Sequence, residues 1–189
     1  MKTVYLIRHG MTEANEKRLY CGRTDLPLSK KGREGLIRLK DTVVYPETDT
    51  LVASGLRRSA ETASILYGRE PDIIMRELNE MDFGEFEMKG YEDLKGDPEY
   101  QRWITGDGSE ACPKGESRDS FGKRAAAGYE RIMASEASSA AVICHGGTIV
   151  CIMDKLFEGI KNFYEWQPDF GRGYRLDLTV GGAPQWHTL

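Results

Sequence analysis

The stretch Val4-Tyr5-Leu6-Ile7-Arg8-His9-Gly10 decides how the rest of the chain is read. Val4 to Ile7 is a short apolar run rich in β-branched and aromatic side chains, which predicts a buried strand. The run stops on an arginine, a histidine and a glycine. Gly10 opens backbone angles closed to other residues, so a sharp turn is expected where the strand ends. Thr12 stands as the cap of a short helix starting near Glu13. A cation and an imidazole would then be fixed at the carboxyl end of a central strand, where open α/β sheets place their ligands. The plain alternative is an Arg-His pair in an ordinary strand-to-helix turn.

Outward from that turn, a loop over Leu19–Leu28 holds Cys21, Gly22 and Arg23, and Ser29 caps a helix whose apolar positions run from Leu36 to Val44. Thr50–Ala53 reads as a second strand, ended by Ser54-Gly55, and Arg57–Tyr67 as a second helix. Asp72–Met75 reads as a third strand, with Leu78-Asn79-Glu80 at its exit. From Glu85 to about Glu116 no period runs through the mixture of glycine, charge and aromatics, which marks a functional insertion such as a lid. A helix over Ser117–Ala134, a buried strand over Ala140–Cys144 and a helix over Thr148–Phe157 follow. Tyr174, Leu176, Leu178 and Val180 alternate with polar residues in a half-exposed strand, and Gly181-Gly182 opens a hairpin into the last residues. Alternating strands and helices predict a three-layer α/β fold: a mainly parallel sheet with helices on both faces.

The 189 residues fit one domain carrying one insertion, and 40% hydrophobic residues support a core. A net charge of -4, with a pI near 5.5 and a mean hydropathy of -0.51, argues against nucleic acid or an anionic membrane as partner. No apolar run approaches the roughly 18 residues of a membrane-spanning helix, and the N-terminal run is too short for a signal peptide. The four cysteines show no CxxC spacing, so reduced thiols in the cytoplasm are expected.

Two of the three histidines, His9 and His145, follow apolar strands and precede glycine, whereas His187 lies in a polar tail and is expected on the surface. If the strands are parallel neighbours, His9, His145, Arg8, Arg58 and Glu80 meet at one crevice. Arg8-His9-Gly10 with Thr12 and Asn15, Ser54-Gly55-Leu56-Arg57-Arg58-Ser59 with Thr62-Ala63, Leu78-Asn79-Glu80 and His145-Gly146 occur in this order. Together they resemble the histidine phosphatase superfamily, also called phosphoglycerate mutase-like, over nearly the whole chain. Glu77–Met88 and Lys114-Gly115-Glu116-Ser117 look like the α-ribazole phosphatase branch of that family.

The resemblance implies a cytoplasmic phosphomonoester hydrolase without cofactor or metal, acting on a small molecule. A dimer is one option for its assembly. His9 is expected as the nucleophile, unprotonated because neighbouring arginines oppose its charge, with its other nitrogen on a backbone carbonyl. Arg8 and Arg58 would give bidentate bonds to phosphate, with His145 and Asn15 as further donors. Glu80 would protonate the leaving alkoxide and then deprotonate the attacking water, with Asp82 as its substitute. Cys21, Gly22, Ser54 and Gly146 are expected around the phosphate, and Phe86 and Trp103 against the leaving group.

Other readings stand beside these. Arg58 could pair with Glu61 on its own helix. Ser54 could be only a helix cap. Phe86, Tyr91, Tyr100 and Trp103 could be a small core that holds the insertion together. Cys144 beside His145 reads as a small buried hydrophobe. A phosphoglycerate mutase, a phospho-ligand binding module and a nucleotide-binding protein are the competing functions. The absence of a GxGxxG run weighs against the last. An excess of acidic residues between Glu85 and Trp103 would repel polyanionic substrates.

Overall fold

The computed structural model describes residues 2–179 and 182–189. Six strands form one sheet: β1 (Lys2–Arg8), β2 (Thr50–Ala53), β3 (Ile73–Ile74), β4 (Ser139–Cys144), β5 (Gly173–Leu178) and β6 (Gln185–Thr188). Their spatial order is β3-β2-β4-β1-β5-β6. The four strands from β3 to β1 are parallel, and β5 and β6 close one edge antiparallel. This is the expected mainly parallel sheet.

The alternation along β1 assigns its two faces. Val4 and Leu6 pack with Val142, Ile149, Met153 and Trp166, under helices α6 (Arg118–Ala134) and α7 (Gly146–Leu156). Tyr5 and Ile7 pack with Leu51, Ile143, Leu36 and Ala63, under α2 (Lys30–Leu39) and α3 (Arg57–Tyr67). Each fully buried aliphatic side chain contributes about 1.5–3 kcal/mol. A strand sandwiched this way cannot slip register by one residue without exchanging its two apolar sets.

Several boundaries differ from expectation. The third strand shrinks to two exposed edge residues. At its start the Asp72 carboxylate, 2.7 Å from the Leu51 N–H, takes the place of a strand carbonyl. Glu80 is therefore reached through a 3-10 turn, Arg76–Leu78, rather than straight from a strand. Gly10 is not in a left-handed conformation. A Cβ there would lie 2.6 Å from Leu36 Cδ1 and 3.2 Å from Leu28 Cδ2, so a larger residue would have to displace these buried leucines. The insertion is ordered by short helices, α4 (Tyr91–Leu94) and α5 (Pro98–Thr105), too short for a period to show in sequence. His187 is exposed on β6, while Val180 and Gly181 of the expected strand and hairpin lie outside the described residues. Among those residues no helix is long and apolar enough to cross a membrane.

Candidate active site

Register brings the strand ends together. Arg8 of β1 pairs with Cys144 of β4, and Ala53 of β2 pairs with Ile143, so His9, Ser54 and His145 leave the sheet at one level. Backbone bonds of 2.9 Å from His9 N–H to the Cys144 carbonyl and 3.0 Å from Ser54 N–H to the Ile143 carbonyl lock that level. The His9 and His145 rings stand 5.0 Å apart.

His9 is 4% exposed. Its Nδ1 lies 2.6 Å from the Gly10 carbonyl, which can only accept, so Nδ1 carries the proton and Nε2 keeps its lone pair. Burial first, then the positive charge of Arg58, holds the His9 pKa well below the ordinary 6.5, with Arg8 adding to the effect. The same two causes depress His145. Thr62, absent from the expected site residues, accepts the Gly10 N–H at 2.9 Å and donates to the Arg58 carbonyl at 2.6 Å. It ties the β1 turn to α3.

Arg58 is not paired with Glu61, which instead takes Arg33, Arg57 and the Leu28 N–H. Arg58 is 1% exposed. Its terminal nitrogens donate to the carbonyls of Thr24 at 3.0 Å and Gly22 at 2.8 Å, and its Nε lies 3.3 Å from His145 Nδ1. That nitrogen therefore accepts, and His145 Nε2–H donates to Ser54 Oγ at 2.7 Å. Both ring nitrogens of His145 are engaged inside the protein. Ser54 holds His145 rather than standing open to a ligand. The Gly22 N–H is also taken, by the Glu87 carboxylate at 2.9 Å. Asn15 accepts from the Thr12 N–H and hydroxyl through its amide oxygen, which leaves its NH₂ as donor.

Glu80 is held by backbone. One carboxylate oxygen accepts from Gly147 N–H at 3.0 Å at the start of α7, and the other from Met81 N–H at 3.0 Å. Arg124 staples the segment before it, donating to the carbonyls of Glu77 and Asn79 and pairing with Glu116 at 2.7 Å. Glu116 in turn accepts from Asp82 N–H at 2.9 Å. Asp82 itself caps Gly84 and pairs with Arg23. Cys144 is fully buried, and burial pushes its thiol far above the ordinary range. Cys21 donates to the Thr24 carbonyl at 3.5 Å, and burial raises its thiol as well. Among the described residues no group of three or more His, Cys, Asp or Glu side chains is placed to hold a metal ion.

A cavity of about 570 Å³ opens over this end of the sheet. Arg8, Asn15, Cys21, Glu80, Arg118, Gly147 and Gln167 contribute its polar lining, and Tyr20, Phe83, Tyr100, Trp103, Phe121, Phe163 and Tyr164 its aromatic walls. His9, Arg58 and His145 lie buried behind this lining. Trp103 lines the cavity, but Phe86 does not. At 1% exposure it fills the insertion's own core, 5.4 Å from the Tyr100 ring and 5.6 Å from Trp103. The small-core reading thus applies to Phe86 and both readings apply to Trp103 and Tyr100. Three of the insertion's acidic side chains are paired, Glu85 with Lys114, Glu92 with Lys95 and Glu99 with Arg102, which leaves its acidic excess in place. Glu87 is turned inward to hold the backbone of Gly22, Arg23 and Thr24. Gln167 and Phe170, which lie against the Arg8 guanidinium, and Arg124, which donates to the Glu80 carbonyl, had no sequence signal, because each reaches a site residue from a distant part of the chain.

Comparison with known proteins gives the same picture. An adenosylcobalamin/alpha-ribazole phosphatase of Salmonella typhimurium is 34% identical over 95% of this chain and 92% of its own length. The crystal structure of the alpha-ribazole phosphatase from Shigella flexneri superposes with a TM-score of 0.82 at 28% identity, covering 94% of this chain and 91% of that one. A probable phosphoglycerate mutase of Enterobacter sp. (strain 638) is 29% identical over 82% of this chain and 75% of its own length. Residues 4–183 match the model of the histidine phosphatase superfamily (branch 1). With two strand-end histidines at one level, a buried arginine behind them and that match over almost its full length, the chain belongs to the histidine phosphatase superfamily.

Proposed function

We propose that this phosphatase hydrolyses a small phosphomonoester through a phosphohistidine on His9, and that its substrate is α-ribazole 5'-phosphate. The observation that carries the mechanism is the His9 tautomer: Nδ1–H on the Gly10 carbonyl at 2.6 Å leaves a neutral Nε2 as the attacking atom. The phosphate is held by Arg8 and by Arg58, whose terminal nitrogens exchange the carbonyls of Gly22 and Thr24 for phosphate oxygens. Charge-assisted bonds to a dianion are stronger than those to neutral carbonyls, which favours the exchange. Asn15 adds a neutral donor. His145, fixed between Arg58 and Ser54, orients Arg58. Glu80, aimed by Gly147 and Met81 N–H, gives its proton to the leaving alkoxide and receives one from the water that hydrolyses phosphohistidine. Two guanidinium groups supply the positive charge a metal would otherwise bring, so full activity in EDTA and a cytoplasmic setting belong to this proposal.

The substrate assignment draws on the relatives named above and on the aromatic walls. The insertion's excess of acidic side chains disfavours polyanionic substrates, and flat faces on Tyr20, Tyr100 and Trp103 are the basis for choosing an aromatic base. A panel of monoesters tests the assignment. kcat/KM for α-ribazole 5'-phosphate is expected to exceed that for 3-phosphoglycerate by at least about tenfold, some 1.4 kcal/mol of transition-state preference. A ratio near one makes this a broad-specificity phosphatase. Transfer of phosphate between carbons of 3-phosphoglycerate, instead of its release, makes it a mutase.

A further inference from the structure

Arg58 is buried, yet among the described residues no carboxylate pairs with it directly. Its terminal nitrogens rest on neutral carbonyls, and the peptide groups that supply two of these are engaged on their other side as well. Nη2 donates to the Gly22 carbonyl at 2.8 Å and, less closely, to that of Cys21 at 3.4 Å. The N–H groups of the same two peptides, those of Arg23 and Gly22, donate to Glu87 Oε1 at 3.0 and 2.9 Å. No peptide bond among the described residues is cis, so each unit turns its carbonyl to the guanidinium and its N–H the opposite way, to the carboxylate. An anion and a cation thus face each other across two peptide groups. Hydrogen bonds in such a chain polarise one another and strengthen together. Thr24 extends the pattern: its carbonyl accepts from Arg58 Nη1 at 3.0 Å, while its N–H and hydroxyl donate to Glu87 Oε2 at 3.2 and 2.6 Å. Phe83 N–H adds a bond of 3.1 Å to Oε1. Every group that converges on Glu87 is a donor, so a glutamine there would set its own NH₂ against some of them. Gly22 lets the loop come this close, since a Cβ on it would lie 2.8 Å from Glu87 Oε1 and 1.6 Å from the Met81 carbonyl oxygen.

We propose that Glu87 is a positioning residue for Arg58: by holding the N–H side of the loop over residues 21–24, it aims the loop's carbonyls at the guanidinium and sets a negative charge one peptide behind them. A carboxylate in direct contact would also hold Arg58, but it would compete with phosphate for the same charge-assisted bonds. Carbonyls fix the cation and leave its charge uncancelled. The consequence for phosphate binding rests on the reading of Arg58 as a phosphate ligand, whereas the effect on Arg58 in the free protein does not.

The reporter is His145 Nδ1, which accepts from Arg58 Nε at 3.3 Å and forms no bond to Glu87. In ¹⁵N spectra of the intact, ligand-free protein, Glu87→Gln is expected to move this resonance downfield, as an imine nitrogen does when its donor withdraws. Phe86→Leu, which loosens the same insertion without altering these bonds, should lower the melting temperature and leave the resonance in place. Calorimetric titration with inorganic phosphate is the second arm. Glu87→Gln should weaken binding about tenfold in the unaltered background and add little beside Arg58→Met, because the group it positions is then gone. A His145 Nδ1 resonance unmoved by Glu87→Gln, or moved as far by Phe86→Leu, overturns the positioning role. If Glu87→Gln does not fold, Thr24→Val, which removes only the hydroxyl donor to Oε2, takes its place and should move the resonance in the same direction; no movement there overturns the proposal. Equal losses of phosphate affinity from Glu87→Gln in both backgrounds overturn it too. Full phosphate affinity in Arg58→Met sinks instead the reading of Arg58 as a phosphate ligand, and the His145 resonance then decides the positioning role alone.

Discussion

The two ends of the catalytic cavity are built on different principles. The end proposed for phosphate gathers side chains near the strand exits that are tied to backbone: His9 to the Gly10 carbonyl, Arg58 to those of Gly22 and Thr24, and Glu80 to two N–H groups. The leaving-group end is made of side chains on short helices, packed ring against ring around Phe86 and Tyr100. Backbone ties fix a group's position and charge state within narrow limits. Ring packing fixes shape but lets the identity of each ring vary. Chemistry and selectivity are therefore expected to separate cleanly under mutation.

The largest expected effect lies at the phosphate end. His9→Ala should lower kcat/KM by a factor on the order of 10⁴ or more, as removal of a nucleophile does. It should also abolish acid-labile, base-stable labelling from ³²P-substrate in quenched reactions. Retention of that label would move the nucleophile elsewhere and dissolve the contrast between the two ends.

Glu80→Gln is expected to lower kcat on α-ribazole 5'-phosphate by a factor on the order of 10²–10⁴. The loss should be much smaller on p-nitrophenyl phosphate, whose leaving group needs little protonation. Equal losses on both substrates would show that the carboxylate serves binding instead of proton transfer.

Burying two imidazoles leaves a thermodynamic trace. His9 and His145 have native pKa values well below 6.5, so between the native values and 6.5 the unfolded chain binds more protons than the folded one. Their contribution to stability is complete above 6.5 and is lost as the pH falls below it. Two such groups give a slope of up to about 2.7 kcal/mol per pH unit. Urea unfolding between pH 5 and 7 measures it, and His145→Asn should roughly halve the slope. An unchanged slope in that variant would mean that the pair does not stay neutral in the fold.

The smallest effect is expected at the aromatic end. Trp103→Leu should reduce the preference for α-ribazole 5'-phosphate over p-nitrophenyl phosphate by about tenfold, within the roughly 1–3 kcal/mol that stacking a base contributes. Phe86→Leu, inside the insertion's core, should lower the melting temperature but leave that ratio within about threefold. Reversed outcomes would place the selective ring in the core of the insertion instead of on the cavity wall.

Arg8-His9-Gly10, Ser54 and His145 were legible from sequence because each sits where an apolar run breaks off, and strand ends in a parallel sheet converge by topology, whereas Arg58, inside α3, and Glu80, beyond a 3-10 turn, stood out through the family resemblance. The same local signal marked the sheet, its two helical layers and the unpatterned insertion. Which donors are already taken was beyond its reach. Whether Gly22 N–H, Ser54 Oγ and both nitrogens of His145 are free depends on Glu87 and Arg58, partners dozens of residues away. Phe86 and Trp103 look alike as aromatics in an irregular segment, and only packing turns one inward and the other to the cavity. Gln167 is an ordinary polar residue until the turn that ends on the buried Trp166 places it against Arg8. Sequence specifies which chemical groups reach the ends of the strands, since that follows from local periodicity. Tertiary structure alone decides which hydrogen bonds they have left to offer, since that depends on contacts between distant segments.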